Sequence, residues 1–217
     1  MAFPDRPIVA AKDADVTVHH GDLPDGISFG DSVAVDSETM GLKPGRDRLC
    51  LVQLSAGDGK AHLVKFAPND SYDAPNLKAL MTDVSVTKLF HYARFDIAAI
   101  KRYLGVDTTP IYCSKICSRL IRTYTDRHGL KELCRELLGV DLSKEQQSSD
   151  WGAEELTESQ IRYAAADVLY LHALRDRLDV RLKREGREHL AQAAFDFLPT
   201  RAELDLAGWP DEDIFGH

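Results

Sequence analysis

The stretch "VAVDSETMG", residues 33–41, places two acids, Asp36 and Glu38, in a run that otherwise reads as a buried β-strand. Two apart on a strand, their side chains leave the same face. Taking one ionised carboxylate out of water without a partner is costly, and two side by side repel unless a cation lies between them. Taken alone, the pattern leaves another reading open, in which the strand ends near Asp36 and both acids reach water in the following turn. In "IRYAAADVLY", Tyr163 and Asp167 stand four apart, one helical turn, and so project from the same helix face. The three alanines between them are small enough for a neighbouring segment or a substrate to come close. A core tyrosine beside an ordinary acid accounts for the same letters. Asp96 in "LFHYARFDIAAI" falls in the first turn of a helix that follows an apolar strand, where the helix dipole by itself favours an acid.

Together these segments resemble the DEDD-type 3′–5′ exonucleases. That family carries D-x-E on a first strand, an acid in a helix after a later strand, and a closing motif on a late helix. In its histidine subtype a histidine stands five residues before the last Asp, a place held here by Arg162. In its tyrosine subtype a tyrosine stands four before, and that residue is Tyr163. The chain therefore resembles the ribonuclease D branch, over roughly residues 16–200. The stretches "DRLCLVQLS", "YCSKICSRLIRTYTDRHGLKELCRELLGVDLSKEQQSSDW" and "FDFLPTRAELDLAGW" are similar to the short, nanoRNase-type members of that branch, which degrade very small RNAs.

The resemblance implies a ribonuclease H-like α/β fold, a mixed β-sheet flanked by α-helices. It implies two divalent ions, Mg²⁺ or Mn²⁺, held by Asp36, Glu38, Asp96 and Asp167. Asp36 would bridge both ions, Glu38 and Asp167 would complete the site on the nucleophile side, and Asp96 would support the second. Tyr163, a phenol with an ordinary pKa near roughly 10, would position the attacking water, and the product would be a nucleoside 5′-monophosphate. By the same resemblance Met40, Gly41 and Leu42 would touch the terminal bases, and His91 and Tyr92 the sugar or phosphate. Trp151, with Ser149 and Asp150, would approach the site, with Lys144 and Gln147 lining the same pocket; His172 reads as structural. Each of these contact residues also reads plausibly as ordinary loop or core packing. One departure stands out: many relatives have an Asp-Thr pair where this chain has Cys113 and Ser114.

These residues need elements to hold them. "SVAVD", "LCLVQLS", "AHLVKF" and "VTKLFH" read as strands separated by Gly, Pro and Asp turns. "PNLKALMTD", "ARFDIAAIKRYLG", "SKICSRLIRTY" and "GLKELCRELLG" read as helices. After a polar loop, a capping signal at Thr157 opens one long helix expected to run to Gly186, and a last helix is expected to stop at Pro199. Strands followed by helices predict an α/β sandwich with a mixed sheet. Residues 1–15 read as a flexible extension, 16–200 as the exonuclease domain, and 201–217 as a tail with an apolar set suited to oligomer contacts.

At 217 residues, with 44% apolar and 29% charged, the composition is that of a globular domain. No run approaches the roughly 20 apolar residues of a membrane helix, and the N-terminus lacks the pattern of a secretory signal. Cys50, Cys113, Cys117 and Cys134 show no C-x-x-C spacing and are expected to stay reduced, which points to the cytoplasm. The net charge of −8 argues against a broad basic grip on long nucleic acid. Between Ile111 and Val140, however, six Lys/Arg face three acids, a local +3 that is either a solvated helical surface or one turned toward phosphate. Only about thirty residues follow Gly186, too few for the helical RNA-binding domains of typical ribonuclease D. The expected partner is thus short single-stranded RNA, dinucleotides above all, with short DNA as a further substrate. The competing readings are a general exonuclease on longer RNA or DNA, and an inactive nuclease fold serving as a binding module. Family resemblance also implies a homo-oligomer, an octameric ring.

Overall fold

Seven consecutive residues with no exposed position make Leu49–Ser55 (β3) the centre of the molecule. Beside it Ser32–Thr39 (β2) is buried at every position but two, and those two are Asp36 and Glu38, both half-buried. The computed structural model describes residues 8–43, 45–143 and 145–217; Lys144, expected at the substrate pocket, lies outside them. With Asp15–His20 (β1), Lys60–Lys65 (β4), Thr87–Phe90 (β5) and Ile111–Cys113 (β6), these strands form a six-stranded sheet in the order β1-β4-β3-β2-β5-β6. β2 is antiparallel to β3 and β3 to β4, whereas β2, β5 and β6 run parallel, as do β1 and β4. The parallel run brings the C-terminal ends of β2, β5 and β6 to one edge, the usual place for a site in an α/β sheet.

The helices are Pro75–Thr82 (α1), Ala93–Leu104 (α2), Ser114–Ile121 (α3), Leu130–Leu138 (α4), Glu158–Leu169 (α5), Leu171–Glu185 (α6) and Glu188–Ala207 (α7). α5 lies across β2, β3 and β4, while α2 packs against β2, β5, β6 and α7. The fully buried Ala164 and Ala165 let α5 sit close to the sheet. Its start is fixed by a capping box, in which the Thr157 hydroxyl accepts from Gln160 N while Thr157 N donates to Gln160 Oε1. α2 is closed by Gly105, whose φ of +72° is open to glycine at little cost. No helix among the described residues is long and apolar enough to cross a membrane.

The mixed sheet and flanking helices agree with the sequence reading; three details differ. β1 and β6 were not expected, because β1 is an edge strand of mixed polarity and β6 has three residues, too few for a period to register. The long helix is two. Tyr170, at φ −104° and ψ −5°, leaves the helical path, and its hydroxyl donates to the Val9 carbonyl at 3.0 Å. Beyond this break α6 turns onto α3 and α4 instead of continuing along the sheet. The last helix does not stop at Pro199 but continues to Ala207. An interior proline costs an isolated helix about 3 kcal/mol. Here the face formed by Ala191, Phe195, Leu198 and Ala202 stays buried on both sides of the proline, which offsets that cost.

Candidate active site

Asp36 and Glu38 emerge near the C-terminal end of β2, just before an irregularity in the β2–β3 register between Glu38 and Thr39. Asp167 approaches from α5. One oxygen of each of these three carboxylates lies within 4.8 Å of the others. Asp96, buried in the first turn of α2, stands outside this trio yet lines the same 320 Å³ cavity. Tyr163 lines it too, one turn before Asp167, with its hydroxyl against the Asp167 carboxyl. The four acids and the tyrosine named from spacing thus share one cavity, although they come from three separated segments.

Burial is the main electrostatic influence here. It pushes the Asp36 carboxyl up to about 7 and that of Glu38 up to about 10, with Asp36, Asp167 and Asp96 adding repulsion at Glu38. Asp96 and Asp167 are raised for the same two reasons, desolvation first and the charge of Asp36 second. The Tyr163 hydroxyl is driven upward by burial and by the nearby acids, so it stays protonated at neutral pH. Among the described residues no Lys, Arg or His pairs with any of the four acids. Hard carboxylate oxygens, mutually repelling and without a cationic partner among the described residues, fit a divalent cation.

The remaining wall supplies substrate chemistry. Lys115 and Lys131 both line the cavity, so two of the six cations in the basic stretch face it. Arg122 of the same stretch is buried and pairs with Glu136. Lys115 Nζ lies 4.0 Å from the centre of the Tyr92 ring, and Tyr92 itself sits at φ +74°, an uncommon conformation for a residue with a side chain. His91 lines the cavity with Nδ1 2.9 Å from Ser114 Oγ; burial pulls its pKa down to about 3, so the ring is neutral. Leu42 is 88% exposed at the rim, and Gln147 completes that side.

Other named residues lie elsewhere. Met40 is exposed, with its sulfur over Gly152, and Gly41 abuts the Asp47 carboxyl; neither lines the cavity. Trp151 is 2% exposed and packs behind Tyr163 at 6.0 Å between ring centres, in a cluster with Cys50, Leu51, Leu63 and Ala164. His172 is buried, with Nε2 3.2 Å from the Ser32 carbonyl. Ser37, Gln53 and Phe95 were not singled out from the sequence, and Lys115 and Lys131 entered it only as two of the six cations of the basic stretch. Gln53 left a legible signal, a lone amide in the apolar run "LCLVQLS", and it donates to Asp36 Oδ2 at 3.2 Å.

This fold is that of a DEDD-type nuclease, and comparison with known proteins agrees. Residues 23–183 match the family model described as 3′-5′ exonuclease. The chain belongs to that family and, within it, is a ribonuclease D-like exonuclease. Ribonuclease D of Acidiphilium cryptum is 36% identical over 155 residues, which cover 71% of this chain and 39% of that protein. The chain spans about two fifths of the length of the curated ribonuclease D proteins it matches first.

The similarity to NrnC of Brucella melitensis is fuller. One structure of that protein superposes with a TM-score of 0.91 at 53% identity, covering 94% of this chain and 98% of the other. A structure of it with bound Mg²⁺ gives 0.89 at 52%, and one bound to pGG gives 0.90 at 53%, each covering 94% of this chain and 99% of that one.

Proposed function

We propose that this protein is a metal-dependent exoribonuclease that degrades very short single-stranded RNAs, dinucleotides to short oligonucleotides, from the 3′ end to nucleoside 5′-monophosphates. The observation that carries this reading is the convergence of Asp36, Glu38 and Asp167 within 4.8 Å, in a cavity shared with Asp96 and Tyr163. Asp36, Glu38 and Asp167 would hold one divalent ion, Mg²⁺ or Mn²⁺, and Asp36 with Asp96 a second. Such ions, when bound, acidify a water and stabilise the leaving 3′-oxygen.

The chain's own groups do the rest. The protonated Tyr163 hydroxyl orients the attacking water rather than taking its proton. Lys115 and Lys131 counter phosphate charge, and neutral His91, steadied by Ser114, offers a ring nitrogen to sugar or phosphate without competing for the metal-binding acids. Exposed Leu42 at the rim gives a base an apolar surface. The length preference draws its support from the pGG-bound NrnC structure at 53% identity. The four buried free cysteines suit a reducing cytoplasm.

The test is cleavage of 5′-labelled RNAs of two, three, five and ten nucleotides, and of the matching DNAs, with Mg²⁺ and with a chelator. Fastest turnover of the two-mer supports the reading; equal rates at all lengths favour a general 3′–5′ exonuclease. Activity that survives the chelator removes the metal mechanism.

A further inference from the structure

Behind the acids lie two polar side chains that folding alone does not call for. Ser37, between Asp36 and Glu38, points to the opposite face of β2 and is buried; its Oγ donates to Asp96 Oδ1 at 2.6 Å. Gln53 is fully buried in β3, directly across the ladder from Asp36, and its Nε2 donates to Asp36 Oδ2 at 3.2 Å. Its other amide atom, Oε1, is buried with no hydrogen-bond partner. A buried amide left half-satisfied is a burden on stability that a methionine of similar size would avoid. Gln53 therefore makes sense through what its one hydrogen bond does.

We infer that Ser37 and Gln53 are positioning residues, Ser37 setting the Asp96 carboxylate and Gln53 setting that of Asp36, so that each holds one oxygen toward a divalent ion. The terminal torsion of an aspartate is broad, and the repelling acids of this cavity would swing apart without a restraint. Each donor engages one named carboxylate oxygen, Asp96 Oδ1 and Asp36 Oδ2. Asp36 and Asp96 are also the two acids that the two-ion reading assigns to the second ion, and each has its own donor. This inference rests on the metal-dependent reading proposed above.

Mn²⁺ alone, titrated calorimetrically into the folded protein, tests it in the unaltered chain and in Ser37→Ala, Ser37→Thr and Gln53→Met. Loss of an orienting partner weakens metal binding by about 10- to 100-fold, and that is the expected effect of Ser37→Ala and Gln53→Met. Ser37→Thr, which keeps the hydroxyl, restores it. The Mn²⁺ concentration for half-maximal dinucleotide cleavage rises in parallel, while the rate at saturating Mn²⁺ falls less. Unchanged Mn²⁺ affinity in both donor-lacking variants overturns the inference, and a change in one alone removes the other residue from it. If Ser37→Ala does not fold, Gln53→Met decides the matter. No Mn²⁺ binding by the unaltered chain overturns the metal reading and this inference together. Binding without cleavage of short RNA overturns only the substrate assignment.

Discussion

Asp36 adds repulsion at each of the other three acids of the cavity, and its removal separates catalysis from stability. In Asp36→Asn the exonuclease activity is expected to fall below detection. The metal-free protein is expected to melt higher at pH 7.5, since one source of repulsion at Glu38, Asp96 and Asp167 is gone. A gain of about 1 kcal/mol corresponds to about 2–4 °C in a chain of this size. Wild-type turnover or a lowered metal-free melting point would contradict the assignment. Tyr163→Phe keeps the ring beside Trp151 but loses the hydroxyl. Misplacing a reacting group costs about 100-fold, so kcat should fall by about that factor with little change in KM. Steady-state kinetics on a dinucleotide check it. Both residues were legible in the sequence because strand and helix periods put Asp36 with Glu38, and Tyr163 with Asp167, on common faces. Ser37 was not, and Gln53 showed only as a lone amide in an apolar run, because a hydroxyl or amide gains its role only from the side chain it meets across the fold.

At the scale of elements, the end of the α3–α4 segment and the first turn of α4 form one wall of the cavity through Gly129, Leu130 and Lys131. It is held from beneath by Arg122, 1% exposed, which donates to Ser118 Oγ at 2.9 Å, to the Arg127 carbonyl at 2.7 Å and to Glu136. Tyr124 and His128 join the same network through Glu136 and Ser118. Arg122→Met removes a charged donor from three acceptors, of which Ser118 Oγ is buried, at about 1.5–3 kcal/mol for such hydrogen bonds. Denaturant unfolding should show that loss, and KM for RNA should rise more than kcat falls, because the wall carrying Lys131 shifts. The sequence showed α4 and the charge excess of residues 111–140 but not which cations turn inward, since that depends on how the loop is tied down. The break at Tyr170 and the continuity of α7 past Pro199 were hidden for the same reason: tertiary packing overrode local propensity.

For the molecule as a whole, the acids couple stability to pH and metal. Between about pH 4, where an Asp carboxyl of the unfolded chain ionises, and about 7, where that of folded Asp36 does, the folded form holds a proton the unfolded form has lost. The contribution of Asp36 is therefore full below pH 4 and is lost as pH rises through about 7. Mg²⁺ favours the ionised carboxylates and should restore it, raising the melting temperature more at pH 8 than at pH 5.5. Thermal melts with Mg²⁺ and with chelator at both values check this, and an equal Mg²⁺ effect at the two would contradict it. Trp209, Ile214 and Phe215 are exposed at the C-terminal end, with Phe215 against Phe197 of α7 at 6.0 Å between ring centres. We propose that this apolar face meets further copies of the chain in a homo-oligomer, a ring that would limit access to short RNA. Sedimentation as a monomer at micromolar concentration would contradict that.

The sequence by itself determined the chemical vocabulary: which acids share a face, which tyrosine accompanies the last of them, and that strands and helices combine in a mixed α/β layer. Such features depend on spacing along one element, and the periods of strand and helix are set by backbone geometry. Only the tertiary structure decided that Asp167 comes within 4.8 Å of Asp36 and Glu38 while Asp96 stands apart on Ser37. It also decided that Lys115 and Lys131 face the cavity while Arg122 turns to Glu136. Those outcomes depend on how β2, α2 and α5 pack, and packing is settled by burial across the whole chain rather than by any one segment.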